Sequence, residues 1–440
     1  MDISYKNICR ITFPVLLSLL VEQIIGITDT AFLGHVGETE LAASAIAGVC
    51  YLILFVIGSG FGVGLQVLIA RLNGEKKSNE ITAIFSTGFY FIILLAGVII
   101  IASQFALPLI LHKIIKSNEI YSATLLYLNW RIYGLFFSFI IVSFRAYNIG
   151  ITRTKILSVC SLVMVIVNII CNYVLVFGEF GFPALGIEGA GTGSCIAEFS
   201  AAFIFILYYL FSTNCRWFKR VSNIKQQWQG LKRILNLSVW TMLQSFLSLA
   251  SWLIFFVVIE HIGQTALATS NIVRSISAVP FMLVQAFAST GSALVSNLIG
   301  EDRQSTVLTL CRRVIRVCYC FCIPLILVGF IFPNLFLKLY TDNPILIQES
   351  LLPLYVMLSS FLFSVPAFIF YCAISGTGNT FTTLKIGLLA LVIYILYIKV
   401  LDWFAPNVSL LWTSEHIYAL AILTLSVIYM RCGNWKQTQI

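Results

Sequence analysis

Long apolar segments, separated by short polar clusters, run along the whole chain. Residues Phe89 to Ala102, Ile132 to Phe144 and Phe321 to Phe332 hold no charged side chain. Each lies inside a window close to the roughly 20 residues with which a helix crosses about 30 Å of hydrocarbon. Because these segments are continuously apolar and do not alternate with polar residues, they predict membrane-spanning helices.

The apolar windows predict an all-α integral membrane protein with twelve transmembrane helices in two pseudo-symmetric six-helix bundles. We expect these helices to start near Ile11, Ala42, Ala83, Tyr121, Lys155, Ile187, Asn236, Ala268, Thr309, Glu349, Phe381 and Leu410. The predicted domains are an N-terminal lobe at 1–211, a cytoplasmic connector at 212–235 and a C-terminal lobe at 236–440. The connector, with Trp217 and Trp228, is expected to lie on anionic lipid headgroups.

The two predicted bundles are copies of one another. Gly34-His35-Val36-Gly37-Glu38-Thr39 aligns with Glu260-His261-Ile262-Gly263-Gln264-Thr265. The offset of 226 positions, from His35 to His261, continues without a gap to Gly74-Glu75 and Gly300-Glu301. Because each copy contains six helices, an even number, both copies start on the same side of the membrane. The two copies therefore form a parallel repeat. Such repeats are typical of transporters with the substrate path between the halves.

The composition excludes a soluble protein and explains the charge. Of 440 residues, 59% are hydrophobic and 10% are charged. The net charge of +9 does not indicate nucleic acid binding, since nearly all Lys and Arg, including Arg145, fall on one predicted side. The other side carries only Lys113, Lys116, Lys338 and Lys399. By the positive-inside rule we expect both termini in the cytoplasm and the protein in the inner (cytoplasmic) membrane.

The remaining patterns point to no cofactor. The apolar run after Arg10 is too long for a signal peptide, so it is expected to remain as the first helix. The twelve Cys are scattered, mostly within predicted spans, and predict no disulfide framework; the four His are too dispersed for a metal site. No His-Glu-x-x-His, Gly-x-Ser-x-Gly or Walker sequence supports an enzyme.

Ionisable residues inside predicted spans mark candidate sites, because charge is costly in hydrocarbon. These residues are Glu22, Asp29, Arg131, Glu198, Arg274 and, at the outer end of its helix, Glu260. At 1.5 Å per residue, Asp29, Asn172 and Ser194 all lie about 8 to 10 Å below the outer ends of their helices. Asn168 lies one turn deeper than Asn172 on the same face. A polar pocket between helices one, five and six is therefore predicted.

A carboxylate with amide and hydroxyl oxygens could bind a proton or a sodium ion, which makes this pocket a candidate coupling site. The alternative is that Asn168, Asn172 and Ser194 only join helices through hydrogen bonds. Arg131 is expected to neutralise Glu22 or Glu198 in a buried ion pair.

Two further positions are open to interpretation. Arg274 is expected either to pair with Glu260 or to contact an anionic group of the substrate. Pro14 is expected to bend the first helix and is a candidate hinge.

The sequence resembles a known family. Pro14, the segment Asp29-Thr30-Ala31-Phe32-Leu33-Gly34-His35-Val36-Gly37 and the later Gly186-Ile187-Glu188-Gly189-Ala190-Gly191 are similar to the multidrug and toxic compound extrusion (MATE) family, nearer its DinF-type members. The resemblance covers nearly the whole chain. It implies a twelve-helix, two-lobe antiporter that exports small organic compounds by alternating access, in exchange for protons or sodium ions.

The resemblance also implies roles for single residues. Asp29 matches the family's first-helix carboxylate, Pro14 its bending proline and Asn168 its fifth-helix amide. Asn172 stands where some relatives carry a second aspartate, which weakens the case for sodium. The family's sixth-helix threonine aligns with Ser194, although Thr192 is close enough to be the equivalent.

The second copy lacks these groups. Phe255, Tyr394 and Ile398 stand 226 positions after Asp29, Asn168 and Asn172. We therefore expect ion coupling to reside in the first half alone.

The sequence is also compatible with other functions. A flippase of the same superfamily that moves a lipid-linked saccharide would suit Arg274, although some such flippases carry two more spans. A membrane-embedded enzyme, a receptor and a channel are less consistent with the motifs. The expected partners are small organic substrates and the lipid bilayer, and the protein is expected to be a monomer.

Overall fold

The computed structural model describes residues 2–211, 224–404 and 407–437, and the described part of the chain is built from helices. Their bounds are α1 Tyr5–Val36, α2 Glu38–Gly74, α3 Ser78–Ile114, α4 Asn118–Gly150, α5 Lys155–Phe177, α6 Ile187–Phe211, α7 Ile224–Ile262, α8 Gln264–Gly300, α9 Val307–Ile331, α10 Pro333–Leu337, α11 Pro344–Gly376, α12 Thr380–Phe404, α13 Val408–Trp412 and α14 Ser414–Cys432.

Among the described residues, twelve helices are long and apolar enough to cross a membrane, which confirms the predicted fold class. Eleven begin within six residues of the expected starts. The exception is α7, which begins at Ile224 and not near Asn236, because its first turns are polar and lie outside the apolar window. The part of the predicted connector at 212–223, with Trp217, lies outside the described residues, and Trp228 is an exposed residue of α7.

The chain forms two compact units whose boundaries lie inside helices. One unit comprises Leu17–Met242, and the other comprises Met1–Leu16 together with Leu243–Ile440. The lobe boundaries expected at 211 and 236 do not coincide with this division. The two boundaries between the units, after Leu16 and after Met242, fall at the same place in the repeat, because Met242 stands 226 positions after Leu16. The first turns of α1 and of α7 therefore each belong to the unit formed mainly by the other half of the sequence.

The backbone repeats as the sequence does. Lys76 has a φ of 59°, in the left-handed region, and its equivalent Asp302 has a φ of 57°. Thr152 has 58°, and its equivalent Gly378 has 92°. The tight turns after α2 and α4 thus recur after α8 and α11, as a duplicated fold requires.

Small residues bring α6 close to α4 and α5 in the unit Leu17–Met242. A Cβ added at Gly189 would lie 2.6 Å from the carbonyl oxygen of Leu175 on α5, and one at Gly191 would lie 2.6 Å from that of Tyr127 on α4. Only glycine permits such close backbone contact. The glycine-rich start of α6 is therefore a packing surface, and it sets the spacing of the polar groups described next.

Candidate functional site

Asp29 lies on α1 and accepts hydrogen bonds from α5 and α6. Asn168 Nδ2 donates to Asp29 Oδ1 at 3.2 Å, and Asn172 Nδ2 donates to the same oxygen. Ser194 Oγ donates to Asp29 Oδ2 at 2.9 Å. The structure thus brings together Asp29, Asn172 and Ser194, which the sequence placed at one depth, and Asn168, which it placed one turn deeper.

The two amides are themselves held in place. Asn168 and Asn172 are completely buried and Ser194 nearly so. Asn168 Nδ2 also donates to Ser194 Oγ at 3.2 Å, and its Oδ1 accepts from Thr28 Oγ1 at 3.4 Å. Asn172 Oδ1 is buried and has no hydrogen-bond partner among the described residues. One amide oxygen beside Asp29 is therefore left without a donor.

Thr192 has a different role from that of Ser194. Its hydroxyl donates to the backbone oxygen of Glu188 at 2.9 Å, one turn earlier on the same helix. Of the two candidates on α6, the structure thus brings Ser194 to Asp29.

Arg131 pairs with Glu198, one of the two partners that the sequence left open. The Arg131 Nη1 atom donates to Glu198 Oε1 at 2.7 Å, and its guanidinium carbon lies 3.7 Å from the centre of the Tyr51 ring. Tyr51 donates its hydroxyl hydrogen to the same Glu198 oxygen at 2.8 Å and lies 2.9 Å from Ser138 Oγ. The result is a compact cluster of buried polar groups.

Glu22 forms an ion pair with Arg145, which the sequence analysis had placed among the cytoplasmic basic residues. Arg145 Nη2 also donates to Ser18 Oγ at 3.4 Å, and Ser18 Oγ lies 2.7 Å from Ser161 Oγ. Arg145 directly follows an apolar run, so its position in the sequence suits a loop as well as a helix interior. The pair could have been inferred from Glu22 on α1, which needs a basic partner once Arg131 pairs with Glu198.

Neither residue proposed as a substrate contact forms the expected ion pair. Within the described ranges, Arg274 has no ion pair with Glu260, which is exposed at the end of α7. The Arg274 guanidinium instead stacks over Trp252, at 5.2 Å from the ring centre, and near Phe256, at 5.9 Å. Cation–π contacts of this kind stabilise a partly buried arginine without a carboxylate.

The second unit holds an acid that the sequence analysis missed. Tyr394 donates to Glu415 Oε1 at 3.1 Å. Glu415 lies in the first turn of α14, after a break at Thr413 that divides the predicted last helix into α13 and α14. The sequence predicted one continuous helix from Leu410, so the separate first turn of α14 with Glu415 was not recognised.

Pro14 lies inside α1, which continues through it as one helix. The boundary between the two compact units follows two residues later, after Leu16. The hinge role of Pro14 stays a prediction.

A cavity lies beside the Asp29 network, within the unit Leu17–Met242. Its volume is about 170 Å³. Its polar lining consists of Glu22, Tyr51, Arg131, Ser138, Arg145, Ser194 and Glu198. Ser194 is therefore shared by the cavity and the network.

Comparison with known proteins identifies similar sequences and folds. The family model described as MatE matches residues 14–174 and 241–400, one match in each half. The chain is 26% identical over 304 residues to the "Probable multidrug resistance protein NorM" of Pasteurella multocida, an alignment that covers 68% of this chain and 65% of that protein. It is 23% identical to the protein of the same name from Thermotoga maritima, over 99% of this chain and 94% of that protein.

Solved structures share the fold over the full length. The Vibrio cholerae MATE transporter VcmN in the bent form has a TM-score of 0.86 at 17% identity and covers 99% of this chain and 98% of its own. A structure described as the outward-facing conformation of a multidrug resistance MATE family transporter has a TM-score of 0.89 at 15% identity, with 100% and 98% covered. At these identities the likeness shows the fold.

Proposed function

Since this chain belongs to the multidrug and toxic compound extrusion family, we propose that it is a secondary antiporter that exports small organic compounds in exchange for an inward flow of protons or sodium ions. The observation that carries the proposal is the hydrogen-bonded Asp29 carboxylate inside an apolar bundle. The names of the NorM relatives support multidrug efflux over saccharide flipping and over an enzyme. The substrates and the direction of transport are part of the proposal.

Asp29 can act as a switch because its hydrogen bonds join three helices. In the structure its two oxygens accept from three donors, which suits an ionised carboxylate. A proton on either oxygen would place an O–H group against an N–H or O–H donor, so the amides or Ser194 must turn. The attachment of α1 to α5 and α6 then changes with the charge of Asp29, and the unit can favour a different conformation.

The donor arrangement favours the proton as the coupling ion. Sodium prefers several oxygen ligands, whereas the nitrogen atoms of both Asn168 and Asn172 face Asp29. Asn172 also takes the place of a second carboxylate. A sodium ion would require at least the Asn172 amide to turn its unpartnered oxygen towards Asp29.

We further propose a monomer in the cytoplasmic membrane with both termini in the cytoplasm, on the strength of the asymmetric distribution of Lys and Arg. DinF-type relatives are the nearer comparison within the family, as the first-helix motif suggested. Transport would proceed by alternating access, with substrate release coupled to cation entry at Asp29.

The proposal is tested with the purified protein in liposomes. Ethidium as a cationic probe and a fluorescent bile acid as an anionic probe would be followed under a pH gradient, a sodium gradient or no gradient. We expect at least one probe to move against its own gradient when the pH gradient is applied and not in its absence. Equal movement with and without both ion gradients would contradict the antiporter proposal.

A further inference from the structure

The cavity beside the Asp29 network is large enough for water but small for an organic substrate. A water molecule occupies about 30 Å³ in the liquid, so a cavity of about 170 Å³ has room for roughly five. Drug-sized ligands usually need about 300 Å³ or more. Carboxylate, guanidinium and hydroxyl groups in the lining supply the two to four polar partners that each ordered water needs. The cavity therefore suits a short chain of waters.

Glu198 offers these waters a buried carboxylate oxygen that has no hydrogen-bond partner. Arg131 and Tyr51 both donate to Oε1 of the Glu198 carboxylate. Oε2 is buried and has no hydrogen-bond partner among the described residues. An unsatisfied carboxylate oxygen in an apolar bundle is costly, and either a water or a proton would relieve that cost.

Ser194 connects Glu198 to Asp29. It lies one turn before Glu198 on α6, so both side chains are on one face of the helix. Its hydroxyl donates to Asp29 Oδ2, and Ser194 is also one of the residues that line the cavity. When Asp29 carries a proton, it can donate to Ser194 Oγ, and the Ser194 hydrogen can then point to a cavity water.

Glu22 is a second acid in the cavity lining. It lies seven residues before Asp29 on α1, about 10 Å along the helix axis. The side chain of Glu22 is 31% exposed, whereas that of Glu198 is 10% exposed. Arg145 pairs with Glu22 and Arg131 pairs with Glu198, so each lining acid is neutralised and the cavity has no excess positive charge that would repel a proton.

We propose that this cavity is a proton path through the unit Leu17–Met242, in which Glu198 Oε2 receives the proton that leaves Asp29 and passes it on towards Glu22. The proton moves from Asp29 through Ser194 and a water to Glu198, and then through further waters to the more exposed end. Asp29 and Glu198 are both carboxylates again at the end, so only the proton has moved. The inference rests on the proposed antiport and adds a second proton-carrying residue to it.

The test compares two kinds of ethidium transport in liposomes: movement driven by a pH gradient, and exchange of ethidium for ethidium, which needs no proton transfer. Glu198→Gln removes the acceptor. The double variant Glu198→Gln with Arg131→Gln removes it without leaving Arg131 as a buried unpaired charge. Glu188→Gln is the matched control, because Glu188 is an acid on the same helix that accepts from Trp130 at 2.8 Å, away from the cavity.

We expect both Glu198 variants to lose pH-driven movement by roughly 100-fold, a typical effect of removing a proton-transfer group, and the double variant to retain exchange. Glu188→Gln should retain both activities. Wild-type pH-driven movement in the double variant would overturn the proposal and leave Glu198 as a structural partner of Arg131. Loss of exchange in the double variant would also overturn it, because Glu198 would then be needed for the fold.

Two other results separate this inference from the proposed function. Ethidium movement driven by sodium alone would overturn the proton path while leaving antiport intact. Unchanged pH-driven movement in Asp29→Asn would instead contradict the proposed role of Asp29.

Discussion

The two units surround the same position of the repeat with different side chains: polar ones at Asp29 and aromatic ones at Phe255. In the unit Leu17–Met242, Asp29 accepts hydrogen bonds from buried amides on α5 and a hydroxyl on α6. In the other unit, the equivalent Phe255 is 1% exposed and packs against Trp412, with ring centres 4.8 Å apart, and Tyr394, at 6.5 Å. At this position one copy of the duplicated helix therefore carries a carboxylate whose charge can change, and the other carries an aromatic side chain whose charge cannot.

This difference shows how a duplicated fold can divide its tasks. Removing polar groups from the second copy removes the cost of burying them, and aromatic packing gains dispersion contacts in return. Tyr394 keeps one polar contact, to Glu415. A single switch in one unit is then sufficient if that unit changes conformation with the charge of Asp29.

The largest effect is expected from substitutions at the equivalent pair Asp29 and Phe255. Asp29→Asn keeps the shape of the side chain but cannot carry the coupling proton, so pH-driven ethidium movement should fall to the level of protein-free liposomes. Phe255→Leu should retain movement and lower only thermal stability, because it changes apolar packing by a small volume. Ethidium movement in proteoliposomes measures the coupling of each variant, and thermal unfolding in detergent measures its stability. Loss of coupling in a folded Phe255→Leu variant would contradict the claim that coupling resides in the unit with Asp29.

A smaller effect is expected where α6 contacts its neighbours. The equivalents of Gly189 and Gly191 in the second copy are Glu415 and Ile417, so that copy does not require this close packing. Gly191→Ala places a Cβ against the Tyr127 carbonyl and should destabilise the protein by about 1 to 3 kcal/mol, with reduced efflux.

The matched control for Gly191→Ala is Gly97→Ala on α3, where an added Cβ meets no atom within 4 Å. That change should be neutral or stabilise the protein by about 0.4 to 1 kcal/mol, since alanine restricts the unfolded chain. Thermal unfolding of both variants measures the difference. Equal stabilities would show that the close contact of α6 is not required.

The smallest effect is expected from Asn172→Asp. This substitution adds a second carboxylate beside Asp29 and should raise the dependence of efflux on sodium, because two carboxylates bind a cation better than one. Ile398→Asn, at the equivalent position in the other unit, should leave ion dependence unchanged. Efflux measured over a range of sodium concentrations at constant pH distinguishes the two. No sodium response in Asn172→Asp would argue against a cation site at this amide.

The sequence alone predicted much of this arrangement because a membrane restricts the alternatives. An acid within an apolar run must find polar partners, and helical spacing left Asn172 and Ser194 at the depth of Asp29, with Asn168 one turn deeper. The fixed offset of the repeat then identified Phe255 as the equivalent position. The structure confirms the twelve-helix fold and places these four polar residues in contact.

The parts that could not be predicted concern charged residues whose partners hydropathy does not identify, and one polar helix start. Arg145 follows an apolar run directly, and a long arginine side chain at such a position can reach either the interface or a buried acid. The polar start of α7 resembles a loop in hydropathy although it is helical. Arg274 was expected to need a charged partner, but two aromatic rings take that place.

The most direct test of the central claim is proton release from the purified protein in weakly buffered detergent solution, followed with a pH indicator as ethidium is added. If substrate and proton compete through Asp29, linkage requires that ethidium release protons from the wild-type protein at a pH where Asp29 is partly protonated. Asp29→Asn should bind ethidium and release none. Equal proton release from Asp29→Asn and the wild-type protein would contradict the account.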